Sequence, residues 1–114
     1  MSNIIAFIHT LTFHSLPDKV VQQAKLCLMD LLGVAVAGHS TKLTQIMEPF
    51  VTSQYAGSTP LLFSEKTASL TGAALFGGML IDSIDAHDGQ VLTKGHVGVA
   101  VLPALLALMQ EQDI

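Results

Sequence analysis

The chain contains no arginine: five lysines face nine aspartates and glutamates, for a formal charge of −4 at pH 7. Nucleic-acid binding needs clustered Lys and Arg to displace phosphate counterions, so that class is excluded. Cysteine is limited to Cys27, which has no partner for an internal disulfide. A stapled secreted scaffold is therefore excluded, and a reducing, cytoplasmic compartment is expected. Bilayer-length apolar runs are missing as well. The longest, Leu31–Gly38, Gly72–Ile81 and Val97–Met109, are bounded by Asp30, Asp82 and His96. Each is shorter than the roughly 18–20 residues that span a bilayer, so no membrane partner is expected. The opening residues Met1-Ser2-Asn3-Ile4 lack the basic start and small-residue cleavage site of a signal peptide. With no charge run, low-complexity tract or internal repeat, no linker is expected within the chain.

What is plentiful is apolar surface. Half of the 114 residues are hydrophobic, only 12% are charged, and the mean hydropathy is +0.55. So apolar a sequence can bury enough surface to offset chain entropy, which argues against disorder. The length fits one domain. A small domain buries a lower fraction of its surface than a large one. Part of this surface is therefore expected to pack on something else, either the rest of a larger protein or a second copy in an obligate oligomer.

The apolar periodicity is mainly helical. Ile4, Ile5, Ile8 and Leu11 make a short amphipathic stretch over residues 3–11, before the breaker His14-Ser15-Leu16-Pro17. Pro17 and Asp18 read as a helix start, since proline suits a first turn and an acid there complements the dipole. Val20, Ala24, Cys27, Leu28, Leu31, Leu32 and Ala35 then line one face, with Gly38 a candidate C-cap. A third helix over about residues 41–53 groups Leu43, Ile46, Met47 and Phe50. The turn chemistry of Tyr55–Pro60 follows, and Pro60–Phe63 is a short extended segment too brief to build a sheet with itself. Leu70, Ala73, Ala74, Gly77, Leu80, Ile81 and Ile84 form another helical stripe, kept thin by Ala73, Gly77 and Gly78 for close approach to a neighbour. The last helix covers about 99–111, with Pro103 in its first turn or kinking it. The expected fold is an all-α bundle of four to five helices.

Ionisable groups concentrate in one polar insert between two apolar helices, Asp85–His96, with Asp82 one turn upstream. A loop framed by rigid helices is a good position for functional groups, though it also serves as a solvated connection whose aspartates cap helix ends. Gly95-His96-Val97-Gly98 puts an unshielded imidazole just before a helix. An imidazole so placed suits acid/base work, while helix-start N–H groups can hold a carboxylate or oxyanion. Asp85 or Asp88 can orient that imidazole. Asp85, His87, Asp88 and His96 also offer mixed O/N metal ligands, but in no standard spacing, and no metal is assigned. Elsewhere, His9, His14 and His39 are expected at helix ends or on the surface. Cys27 is expected as a buried, inert thiol, Asp30 as a hydrogen-bonded group at a helix contact, and Gly33 as a close helix crossing. No Gly-rich phosphate loop is present.

Leu16-Pro17-Asp18-Lys19-Val20-Val21, Ala24-Lys25 and Leu28–Gly38, followed by Gly72–Gly78, Ile84-Asp85-Ala86-His87-Asp88, Gly95-His96-Val97-Gly98 and Leu102–Ala107, together resemble the MmgE/PrpD family across about residues 3–111. The resemblance implies a large helical domain built from N- and C-terminal segments, with a smaller α/β lid between them. Residues 1–114 would then be a partial N-terminal helical domain, without the lid and C-terminal segments. It also implies proton transfer next to a carboxylate in small di- or tricarboxylates, by dehydration, decarboxylation or epimerisation, with no cofactor. His96 takes the position of the family's acid/base histidine, and Asp85 and Asp88 those of the first and last acids of its acidic motif. Ala86, His87, Gly89, Val97 and Gly77 depart from the family pattern and mark a divergent branch.

The resulting assignment makes His96, Asp85 and Asp88 catalytic, with Lys94, His87, Gly95 and Gly98 at the substrate. A substrate with two or three carboxylates needs more cations than Lys94 alone, so the isolated chain is expected to be weakly active or inactive. Its expected packing partner is a second copy or the missing segments. The alternative is a non-catalytic helical module that oligomerises or docks through exposed apolar surface.

Overall fold

The computed structural model describes residues 2–87, 89–92 and 94–112. They form α1 (Ser2–Thr10), a 3-10 turn (Phe13–Ser15), α2 (Asp18–Gly38), α3 (Lys42–Gln54), β1 (Thr59–Pro60), β2 (Thr67–Ala68), α4 (Leu70–Asp82) and α5 (Val97–Glu111). The fold is mainly helical, as the periodicity predicts. Helix starts follow local chemistry. Thr41 Oγ1 accepts from Thr44 N at the head of α3, and Ser69 Oγ accepts from Gly72 N at the head of α4. Each satisfies a backbone donor that the helix itself leaves unpaired.

α4 is the central element, packed by α5, α3 and α2, while α1 lies outside these contacts. A helix apolar on all sides belongs in an interior, and Phe76, Leu80 and Ile81 are fully buried there. Leu31, Val34 and Ala35 of α2, Val51 of α3 and Ala107 of α5 close over them. The thin side of α4 meets α5 as expected: a Cβ on Gly77 would lie 2.9 Å from Pro103 Cβ. Pro103 is buried seven residues into α5 and not in its first turn.

Four expectations are corrected. Gly33 does not mark a helix crossing, since a Cβ there would meet nothing within 4 Å. The crossing is at Gly38, where a Cβ would run into the Leu80 carbonyl oxygen and lie 2.5 Å from Ser83 Oγ. Cys27 is exposed, and its Sγ accepts a 3.4 Å contact from Gln23 Nε2. Asp30 is exposed as well. The common cause is that α2 is buried only through Leu31, Val34, Ala35 and Gly38, in its C-terminal half. Finally, the segment at Pro60 does build a sheet, because Thr59 and Pro60 pair antiparallel with Ala68 and Thr67. Its turn is tied to α3 by Glu48, which accepts from Ser64 Oγ at 2.6 Å and Lys66 Nζ at 2.7 Å. The Lys66 and Ser64 bonds hold the Glu48 carboxyl below the usual carboxylate range.

The molecule is unusually open. A folded monomer of 12.1 kDa should expose about 6,000 Å² and have a radius of gyration near 13 Å. This chain exposes 7917 Å² with a radius of 15.7 Å. The surplus, about 1,900 Å², is of obligate-interface size. It is apolar, with Ile4, Ile8, Leu28, Val97, Val101 and Leu105 among the exposed side chains. A groove of about 330 Å³ between α2 and α5 runs through it, lined in part by Ala24, Leu28, Val101 and Leu105. By length and composition α2 is also apolar enough to cross a bilayer, although its C-terminal half packs on α4.

Candidate functional site

The insert between α4 and α5 folds into two consecutive reversals. At the end of α4, Ser83 Oγ donates to Leu80 O, and Asp85 N donates to Asp82 O at 3.0 Å. Asp85 adopts φ 49°, a left-handed conformation that aspartate tolerates better than most side chains. This reversal swings His87 back onto the end of the helix. Its Nε2 lies 2.9 Å from Asp82 Oδ1 and 3.9 Å from Asp85 Oδ1. The His87 side chain is only 1% exposed, whereas those of Asp82 and Asp85 are 55% and 87% exposed.

The second reversal is a small hairpin. Gln90 and Gly95 form an antiparallel bridge, with Gln90 N donating to Gly95 O at 3.0 Å and Lys94 N to Gln90 O at 2.8 Å. The Gln90 side chain accepts from Leu92 N, and Lys94 takes a left-handed φ of 54°. The hairpin delivers His96 to the N-cap position of α5. There its ring meets that of His87 edge to face, with centroids 4.5 Å apart and planes at 73°. An open hollow of about 250 Å³ lies over this corner, lined by Gly89, Gln90, Val91, Lys94 and His96.

The expected site residues therefore separate by position. His96 is exposed and shares the hollow with Lys94. Gly95 holds the hairpin closed, and Gly98 faces the groove between α2 and α5. His87 is buried beside His96 and does not line the hollow. Asp85 lies at the His87 ring, and Asp88 falls outside the described residues. The carboxylate that bonds an imidazole here is Asp82, which closes the otherwise apolar α4. An acid ending such a helix five residues before a histidine was the available signal. His9, His14 and His39 are exposed at or near helix ends, as expected.

Chemically, the corner presents one lysine and one imidazole to an anion from the loop side, with the N–H groups at the start of α5 adjoining. Helix starts favour negative charge. Ligand atoms of Asp82, Asp85 and His87 lie within 4.8 Å of one another, so these three could share an ion; His96 is not in that set. The His87 Nε2 is bonded to Asp82.

Comparison with known proteins gives a consistent family. The model of the MmgE/PrpD N-terminal domain matches residues 2–113. Cis-aconitate decarboxylase of Homo sapiens is 30% identical over 105 residues, which covers 90% of this chain and 22% of that protein. The chain thus spans about a fifth of the length of that relative. No solved structure matches at comparable stringency.

Proposed function

The chain belongs to the MmgE/PrpD family, and we propose that it forms one wall of a lyase or isomerase acting on small di- or tricarboxylates. His96 removes or returns a proton at the carbon next to a substrate carboxylate. Dehydration and epimerisation can begin with such a removal, and decarboxylation can end with such a return to the carbon that lost CO2; a positioned acid/base group with charge stabilisation supplies either without a metal or organic cofactor. The observation that carries the reading is the placement of His96: exposed at the head of α5, on the same hollow as Lys94, and backed by a buried aromatic ring.

Lys94 and the first N–H groups of α5 receive a substrate carboxylate. Gly95 keeps the backbone beside it bare of a side chain, and the Asp85 carboxylate lies on the α4 side at the His87 ring. The remaining cations come from parts of the protein outside this chain, packed on the surplus apolar surface of about 1,900 Å². Alone, the chain is weakly active or inactive. A cytoplasmic setting suits its unpaired thiol.

The test is a graft of this chain in place of the matching 105-residue stretch of the human relative. In a graft that folds and turns over cis-aconitate, His96→Ala should lower kcat at least ~100-fold and leave KM within a few-fold. Turnover that survives the substitution rejects the assignment. The same surplus surface favours a second reading, a non-catalytic module that pairs with a second copy. A stable dimer of the 114-residue chain in light scattering, together with an inactive graft, would establish it.

A further inference from the structure

The buried histidine has no part in the proton transfer just described, yet it is the better fixed of the two. Asp82 Oδ1 accepts from its Nε2 at 2.9 Å, the side chain is 1% exposed, and Nδ1 is buried without a hydrogen-bond partner among the described residues. With Nε2–H committed to Asp82, a bare Nδ1 lone pair is the less costly state of the other nitrogen, since an orphaned buried N–H is rarer than an under-satisfied acceptor. The ring is therefore pinned in one orientation at the end of α4. Its contact with the neighbouring imidazole, 4.5 Å between centroids at 73°, has the geometry that aromatic pairs prefer.

We propose that His87 is a positioning residue for His96, passing on to the exposed imidazole the orientation that Asp82 imposes at the end of α4. His96 sits on an exposed N-cap after a hairpin, and contact with a fixed neighbouring ring narrows the rotamers open to such a side chain. The His87 ring supplies that contact, and Gly89 lies near the His96 ring. A Cβ at Gly89 would lie 3.4 Å from His96 Cε1, so the backbone there passes close to the ring. Asp82 never reaches the hollow but acts on it through one hydrogen bond and one ring contact. The inference rests on reading His96 as the proton-transfer group, because only then does its orientation govern a rate.

The experiment reads the His96 ring itself, by carbon-13 relaxation and the Hε1 shift in the 114-residue chain. In the native chain the Cε1–H vector should be nearly as ordered as rigid backbone, with an order parameter of roughly 0.8. Asp82→Asn and His87→Gln should each lower that order parameter by roughly 0.1 or more and shift the Hε1 resonance. His87→Phe keeps a ring without the Asp82 bond and should give intermediate order. Amide signals of α4 and α5 report whether each variant folds, and should one of these variants not fold, the others carry the test. Unchanged His96 order in folded Asp82→Asn or His87→Gln overturns the proposal. These signals need no substrate, so they decide the positioning role separately from the graft, which decides whether His96 transfers a proton.

Discussion

Gly38→Ala and Gly33→Ala place the same methyl group on the same helix five residues apart, and the two should act in opposite directions. At Gly33 the new Cβ meets nothing within 4 Å. The substitution should stabilise the fold by about 0.5–1 kcal/mol, the usual cost of glycine relative to alanine inside a helix. At Gly38 the methyl group runs into the Leu80 carbonyl oxygen and comes 2.5 Å from Ser83 Oγ. Overpacking of this kind costs roughly 1–3 kcal/mol where side chains can adjust. Here the obstacle includes backbone, and retreat is restricted because the Gly38 carbonyl accepts from Thr44 Oγ1 at 2.8 Å, Thr41 Oγ1 at 2.9 Å and Ser83 Oγ at 3.3 Å. Displacing it weakens bonds worth about 1 kcal/mol each.

A net loss of about 2–4 kcal/mol therefore follows for Gly38→Ala, even after crediting alanine's helix propensity. Urea unfolding of both variants at constant m-value measures the difference, which in melting temperature is of order 4 °C per kcal/mol. Shifts of the same sign, or a Gly38→Ala loss under about 0.5 kcal/mol, would refute the close crossing of α2 over α4. The crossing matters to the site because Ser83, which bonds both Gly38 O and Leu80 O, immediately follows Asp82. Pushing the helices apart moves the residue that holds His87.

The Glu48 carboxyl, held low by Lys66 and Ser64, contributes stability that is present above the unfolded carboxylate pKa of about 4.3 and lost as pH falls through the lower folded value. Glu48→Gln should accordingly be less stable at pH 7 by up to about 1 kcal/mol, with the gap closing on acidification; thermal melts from neutral to acid pH check this, and a gap that widens with acid contradicts the assignment. The exposed apolar groove between α2 and α5 should bind a hydrophobic dye and promote self-association, and Leu105→Lys should reduce both while changing stability by less than about 0.5 kcal/mol. Equal dye binding by the variant would place the sticky surface elsewhere.

Direction is legible in a sequence; cover is not. The α2 stripe correctly identified the face that Leu31 and Ala35 turn toward α4, because at 3.6 residues per turn the spacing alone determines the angle. It could not say how much of that face is covered, so Cys27, on the same stripe, was expected inside and lies outside. Gly33 misled for a related reason. Five residues correspond to about 140° around a helix, so Gly33 and Gly38 cannot both face one neighbour, and nothing local marks which glycine is at the crossing. In the insert, the residue types pointed to the right corner of the fold, but the pairing of Asp82 with His87 depends on a left-handed backbone at Asp85 that a non-glycine residue does not advertise. These failures share a physical origin. The face of α2 is apolar along its whole length and buried only in its C-terminal half, while α1 lies outside the packed helices altogether. A periodicity that runs on past its own burial is the pattern of a helix whose core extends beyond the elements present. On the proposed function, whatever covers the N-terminal half of α2 should also bring the positive charge that Lys94 cannot supply alone.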